Sequence, residues 1–405
     1  MRIKTEIGFK LLLAASFSLI LASGCKQKSP AVNNYKSEID SIGIVYVPDL
    51  REGILDAEIV SRGSVEILKG ETNVPEAKDA ITGLLNKDGI KFIDSLKVLP
   101  DISQIAEPWG LVNVSVCNLR FISSYDAEMV SQSLMGTPVK ILKKDNGWLL
   151  VQTPDMYLGW VDSDAIAARS VSEHDIWKSS SRLFYTAKTG EIYSDLSMEK
   201  SISDIVAGCI LEVTGNQKSG YEVKLPDGRN GFVPSDKAIL FDQLTVEKFL
   251  NPKNLVSTAE SFMGIPYLWG GTSSKGFDCS GFVKTVYFLN GIILERDASQ
   301  QFQYGMRLRR GSFPDSLKKG DLLFFGSSRR GRASASHVGI YIGNTEFIHC
   351  SGMVKINSLD STRVNFSRYR RDSFLGVRRI IGAPYGKAIQ PVLNHDWYRQ
   401  PATGN

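Results

Sequence analysis

Apolar and polar positions along the 405-residue chain change period several times, and each change marks a unit. Between 41 and 75 the short alternating runs Ile42-Gly-Ile-Val-Tyr-Val47, Ala57-Glu-Ile-Val60 and Val65-Glu-Ile-Leu68 predict strands. Residues 75–98 open with Pro75-Glu-Ala-Lys-Asp-Ala-Ile81, which predicts a helix with proline in its first turn. Residues 41–110 therefore read as a small α+β module without evident chemistry. From 111 to 242 the chain repeats itself. With one single-residue gap in each copy, Gly147–Ile166 aligns with Gly220–Ile239. Each copy offers short strands, a Pro-Asp turn and a Gly-aromatic strand, the pattern of a small β-barrel. Two barrels are expected, 111–170 and 171–242. Residues 243–255 read as a linker, 256–381 as an α+β domain, and 382–405, lacking periodicity, as a tail.

The chemistry concentrates in the α+β domain. In Tyr267-Leu-Trp-Gly-Gly-Thr-Ser-Ser-Lys-Gly-Phe-Asp-Cys-Ser-Gly-Phe282, the apolar positions from Phe282 through Val283, Val286 and Tyr287 have helical spacing. Cys279 thus falls in a first helical turn, where unpaired N–H groups and the helix dipole are expected to lower its pKa. Downstream, Val338, Ile340 and Ile342 alternate with Gly339 and Tyr341 as a half-buried strand, and Phe347-Ile348 follows a Gly343-Asn344 turn. A hairpin there sets His337 opposite His349 on one face. A cysteine, a histidine and a second polar group to orient that histidine are the parts of a thiol nucleophile site. A zinc site needs about three or four ligands at short spacing, and no CxxC or HxxxH pair exists, so neither metal nor cofactor is expected.

In this order and spacing, Phe277-Asp-Cys-Ser-Gly-Phe282, Lys319-Gly-Asp-Leu-Leu-Phe324, His337-Val-Gly-Ile340 and Phe347-Ile-His349 resemble the NlpC-type, papain-like cell-wall peptidases. That resemblance implies a Cys279-His337-His349 triad, with the N–H of Cys279 and Tyr267 serving the oxyanion. The repeats resemble bacterial SH3-like domains, so the fold class is multidomain: SH3-like barrels followed by an α+β papain-like domain. Asn118–Gln132 with Met156–Trp160 resembles the first barrel of γ-D-glutamyl-diamino-acid peptidases of wall-peptide recycling. In that subgroup a barrel Glu and Tyr, with residues flanking the catalytic Cys, hold the substrate's free amine. By position these are Glu128, Tyr157, Asp278 and Ser280. The implied substrates are murein stem peptides bearing N-terminal L-Ala. The alternatives are an endopeptidase on intact peptidoglycan, a non-catalytic wall-binding lipoprotein, and a thiol acyl transferase.

At the N-terminus, Arg2, Lys4 and Lys10 precede the apolar run Leu11–Ala22 and then Ser23-Gly24-Cys25, which reads as a secretory signal over 1–24. Ala22-Ser-Gly-Cys25 resembles a lipobox, implying a membrane anchor on Cys25 and a location in the bacterial envelope, with 25–40 as a polar tether. Net charge is +5, and residues 1–24 carry three of the cations against Glu6, leaving about +3, too little to argue for nucleic acid. An arginine-rich zone (Arg307, Arg309, Arg310, Arg329, Arg330, Arg332, Arg368, Arg370, Arg371) reads as solvated loop tips. With Cys25 and Cys279 reserved, Cys117, Cys209 and Cys350 are expected to form no disulfide, and the protein to be a monomer held together by core burial.

Overall fold

The computed structural model describes residues 35–63, 65–308 and 315–399. The signal segment, Cys25, Arg309 and Arg310 lie outside the described residues. The chain begins with helix α1, Lys36–Tyr46, then strands β1, Leu55–Arg62, and β2, Val65–Thr72, helix α2, Pro75–Lys87, and strand β3, Phe92–Val98. β1 and β2 form an antiparallel hairpin, and α2 carries the chain across to a parallel β3. Ala77, Ile81 and Leu85, four residues apart, bury one face of α2 near Leu68 and Leu96.

Two expectations fail here. Residues 42–46 are helical, because Tyr35, Ile39 and Ile42 recur at helical spacing and pack on the α2 cluster, while Ile44 and Val45 stay exposed. Lys36–Asp40 therefore belongs to α1 rather than to a tether. The helix opening at Pro75 stops at Lys87, and the remainder of 75–98 supplies β3.

Two seven-stranded sheets follow, one from Trp109 to Arg169, the other from Arg182 to Leu240. The first closes around Val112, Leu119, Val139, Ile141, Val151 and Val161, the second around Leu183, Ile192, Ile205, Leu211, Val223 and Val233. Between them lies a helix, Val171–Ser179, started by a capping box of Ser170 and Glu173, so the second barrel begins about ten residues later than its sequence boundary. Residues 243–255 also carry helix, Val246–Phe249 and the start of Pro252–Ser261.

The last domain is built on helix α3, Cys279–Phe288. It packs on a six-stranded sheet formed by β4, Met306–Leu308; β5, Leu322–Arg329; β6, Arg332–Gly343; β7, Glu346–Ser351; β8, Met353–Ser358; and β9, Phe374–Arg379. The order is β4-β9-β5-β6-β7-β8, antiparallel throughout. Phe282, Val283, Val286 and Tyr287 meet Leu322, Phe324, Val338, Ile340 and Ile348 in one core. Each such side chain contributes about 1.5–3 kcal/mol on burial.

The C-terminal segment is no loose tail. Ile389–Pro391 pairs with Ile292–Leu294, and Tyr398 is buried beside Trp177 and Phe241. Arg182 lies over both of those rings and donates from Nη2 to the Tyr398 carbonyl at 2.8 Å. His395 Nε2 donates to Pro154 O at 2.9 Å. The segment lacks a period because its residues face different partners in turn.

A second clasp joins the first barrel to α3. Lys284 Nζ meets Asp155 Oδ2 at 2.5 Å, with the Asp155 side chain only 3% exposed. Removing one partner strands the other charge in the junction. Lys284→Met should therefore lower unfolding free energy by roughly 3–5 kcal/mol, whereas Lys284→Met combined with Asp155→Leu should recover much of the loss. Urea denaturation of the three proteins checks this.

Candidate active site

Asp278 begins the site. It is the N-cap of α3, accepting the Gly281 N–H at 2.7 Å through Oδ1, and it accepts the Gly270 N–H at 3.1 Å through Oδ2. Gly281 has no substitute here, since a Cβ would lie 2.0 Å from the Gly271 carbonyl oxygen. Arg296, 1% exposed at its side chain, forks onto both Asp278 oxygens at 3.2 and 2.6 Å. Its Nη1 also reaches Ser280 Oγ at 3.2 Å, and its Nε donates to Ser131 Oγ of the first barrel at 3.1 Å. Burial alone would drive the guanidinium pKa down, but Asp278 more than offsets it and holds the group charged.

Cys279 follows as the first helical residue and is buried. Its Sγ lies 4.0 Å from the carbonyl oxygen of Ser336, the residue before His337. Burial, then the Asp278 charge, push the thiol up to about 11, against Arg296 and the N–H groups of Val338 and Ser280. The expected lowering at the helix start is thus reversed, because desolvation in this packed corner exceeds the pull of the helix terminus.

The β6–β7 register pairs Ile340 with Ile348 and Tyr341 with Phe347. His349 therefore lies nearest Gly339, diagonal to His337 and not opposite it. A Cβ on Gly339 would come within 3.0 Å of the His349 Cβ, so glycine leaves the space in which the two rings meet. His337 Nε2 and His349 Nδ1 are 2.7 Å apart, with the rings edge to face. His349 Nε2 lies 2.9 Å from Asn357 Oδ1 on β8, and Asn357 Nδ2 donates to Asn365 O at 2.9 Å.

That last bond fixes the tautomers. Asn357 must present its oxygen to His349, so His349 carries its proton on Nε2 and accepts at Nδ1. His337 then donates from Nε2, leaving Nδ1 as its acceptor. Burial, then Arg370, His349 and Lys355, holds His337 well below its ordinary pKa. Burial brings His349 down to about 4, with Asn357 acting in the opposite direction.

A cleft of about 340 Å³ gathers Glu128, Tyr157, Tyr267, Asp278, Cys279 and Ser280. Exposed Glu128 accepts from Trp269 Nε1 at 2.8 Å. Tyr157 donates to Asp297 Oδ2 at 3.1 Å, and burial pushes its phenol pKa upward. Burial also takes Tyr267 up to about 12. Asp278 and Ser280 already have protein partners at the edge of this cleft. Both Asp278 oxygens are occupied by Arg296 and backbone N–H groups, and Ser280 Oγ faces Arg296 and Asp278.

Arg51, Trp269, Asp297 and Ser299 also line the cleft, and sequence reasoning missed them along with Arg296 and Asn357. Glu295-Arg296-Asp297 directly after the apolar Ile292–Leu294 was the available signal, three successive charges against a buried strand. Arg51 comes from the N-terminal module: Nη1 donates to Asp297 Oδ2 at 2.6 Å and to Ser299 Oγ at 3.0 Å. Of the arginine-rich zone, Arg370 is half-buried near the histidines rather than at a solvated tip.

Residues 264–378 match the NlpC/P60 family, and residues 122–166 match the bacterial dipeptidyl-peptidase Sh3 domain. The chain is 31% identical over 278 residues to dipeptidyl-peptidase 6 of Lysinibacillus sphaericus, spanning 65% of this chain and 95% of that protein. It is 28% identical over 230 residues to the γ-D-glutamyl-L-lysine dipeptidyl-peptidase of Bacillus cereus, 55% of this chain and 67% of that one. Among solved structures, an NlpC/P60 family protein from Bacillus cereus superposes with a TM-score of 0.58 at 23% identity, covering 67% of this chain and 99% of the other, a likeness of fold. A helix-borne cysteine beside a strand-borne histidine pair, behind SH3-like barrels, thus places this chain in the NlpC/P60 family of cysteine peptidases.

Proposed function

We propose that the protein hydrolyses the γ-D-Glu–diamino acid bond of free stem peptides carrying N-terminal L-Ala. The observation that carries the reading is the His337–His349–Asn357 relay, its tautomers fixed by Asn365 O, with the Cys279 thiol 4.0 Å from the carbonyl oxygen of Ser336, the residue before His337. His337 Nδ1 takes the thiol proton as Cys279 Sγ attacks the γ-carbonyl carbon. The oxyanion is stabilised by the Cys279 N–H at the helix start, with Tyr267 beside it. His337 returns the proton to the departing amine, leaving a thioester. Water then adds with His337 again as base, and L-Ala-γ-D-Glu leaves as the free thiol re-forms.

Selectivity for a free amine rests on Glu128, whose carboxylate faces the cleft with Trp269 as partner, and on Tyr157 beside Asp297. An ammonium there is favourable; an N-acylated stem leaves Glu128 without a counter-charge, Asp297 being already paired with Arg51. The name of the Bacillus cereus relative, a γ-D-glutamyl-L-lysine dipeptidyl-peptidase, supports this substrate class. We place the protein, as a monomer, in the bacterial envelope on a lipid at Cys25, acting on murein peptides.

Three outcomes follow. Mass spectrometry should find a free tripeptide stem cleaved between D-Glu and the third residue, the same stem on muramic acid intact, and Cys279→Ala inactive; equal cleavage of both substrates would remove the role of Glu128. Asn357→Ala frees the His349 tautomer and should lower kcat roughly 10-fold with little change in KM. Burial holds both histidine pKa values down, His349 to about 4 and His337 well below its ordinary value, so both rings are neutral at pH 6.5. The acid limb of kcat/KM should therefore lie well below the ordinary 6.5.

A further inference from the structure

The barrel side of the cleft described above is lined by Glu128, Val130 and Tyr157, and Glu128 has no cationic partner among the described residues. The other side has the opposite charge. Arg370 stands on helix α4, Arg368–Asp372, between β8 and β9. Its guanidinium lies 5.7 Å from the Phe325 ring centroid, and Phe325 in turn packs 5.9 Å from the His337 ring. Nη2 donates to Ser351 Oγ at 3.3 Å, two residues beyond His349. No Asp or Glu among the described residues pairs with it. The nearest acid in sequence, Asp372, is engaged by Arg368 and Arg371 instead.

Lys355 adds a second cation, directly across from His349 in the β7–β8 register and without an ion pair among the described residues. A half-buried cation stacked on aromatic rings, without a counter-carboxylate, is a costly arrangement for a folded chain to keep. Ring faces and one serine hydroxyl satisfy little of its fork, which matches a carboxylate.

We infer that Arg370, supported by Lys355, forms an anion subsite on the leaving-group side that takes a carboxylate of the diamino acid residue. This rests on the proposed reading of the scissile bond. L-Ala-γ-D-Glu extends toward Glu128 and the barrel, and the departing residue extends past the histidines. That residue offers two carboxylates: its own α-carboxylate when it ends the peptide, and a side-chain carboxylate when it is diaminopimelate. Anchoring either one beside His337 holds the departing nitrogen where the imidazolium can protonate it. Electrostatics thereby divide the site, with acid for the substrate's amine end and base for its carboxylate end.

The test compares three substrates: L-Ala-γ-D-Glu-L-Lys with a free C-terminus, its lysinamide, and the diaminopimelate peptide with the α-carboxyl amidated. Arg370→Gln should lower kcat/KM about 10- to 100-fold on carboxylate-bearing substrates and leave the lysinamide within about threefold, the loss of one charge-assisted pair. Arg370→Lys should be intermediate. Dependence on Arg370 with the first peptide alone assigns the α-carboxylate; dependence with the third assigns the side chain. Equal losses on all three substrates, or none, would overturn the subsite, the former showing that Arg370 only supports His337 through Phe325. Calorimetry on the Cys279→Ala protein reads the same differences in affinity without turnover. A chain that binds the carboxylate peptides through Arg370 yet never cleaves them would sink the hydrolase reading and keep the subsite.

Discussion

The Arg296–Asp278 pair is buried at the one point where the cysteine helix, the cleft and the first barrel meet. Asp278 caps the helix that presents Cys279, and that cap is a carboxylate in a place from which water is excluded. Without Arg296 it would be an uncompensated buried charge, which costs several kcal/mol. Arg296 also reaches Ser131 of the barrel, so one side chain serves both the charge balance of the nucleophile's helix and a contact that docks the barrel. Burial, with the same carboxylate adding to it, raises the Cys279 thiol pKa, and burial lowers that of His337, so thiol and imidazole are both neutral at rest.

Two other parts of the chain are drawn toward this centre. The N-terminal module sends Arg51 to Asp297 and Ser299, and Gln300 answers by donating to Asp49 and Glu52 at 3.1 and 2.6 Å. The C-terminal segment holds the barrels and the last domain together through Tyr398 and His395. Both segments lack catalytic motifs; the N-terminal one supplies Arg51 to the cleft wall, and the C-terminal one ties together the domains that carry the other walls. A cleft walled by separate segments keeps its shape only if each wall is pinned, and the polar contacts to Arg51, Asp297 and Gln300 provide that pinning.

Much of the site was legible in the chain. The Cys279 box, the His337 strand and Phe347-Ile-His349 carry local periods that specify helix and strand, and the repeat over 111–242 gave the barrels. Periodicity misled where a short apolar run had two readings: Ile42–Val47 alternates like a strand, yet Tyr35, Ile39 and Ile42 form the face that packs. It was silent over 389–399, where successive residues meet different surfaces.

The sequence by itself determined the fold class, the family and the position of Cys279 in a first helical turn, because helix and strand periods and motif spacing are local properties of the chain. Tertiary structure decided what each charge faces. Asp278 became a cap and counter-ion rather than a free acid, Arg370 a half-buried cation beside the histidines rather than a surface arginine, and Asn357 the residue that sets the tautomers. Those outcomes depend on partners up to 165 residues apart, as between Ser131 and Arg296, and on how much water each pair loses. Desolvation and partner charge belong to the folded arrangement, and neither can be read from spacing along the chain.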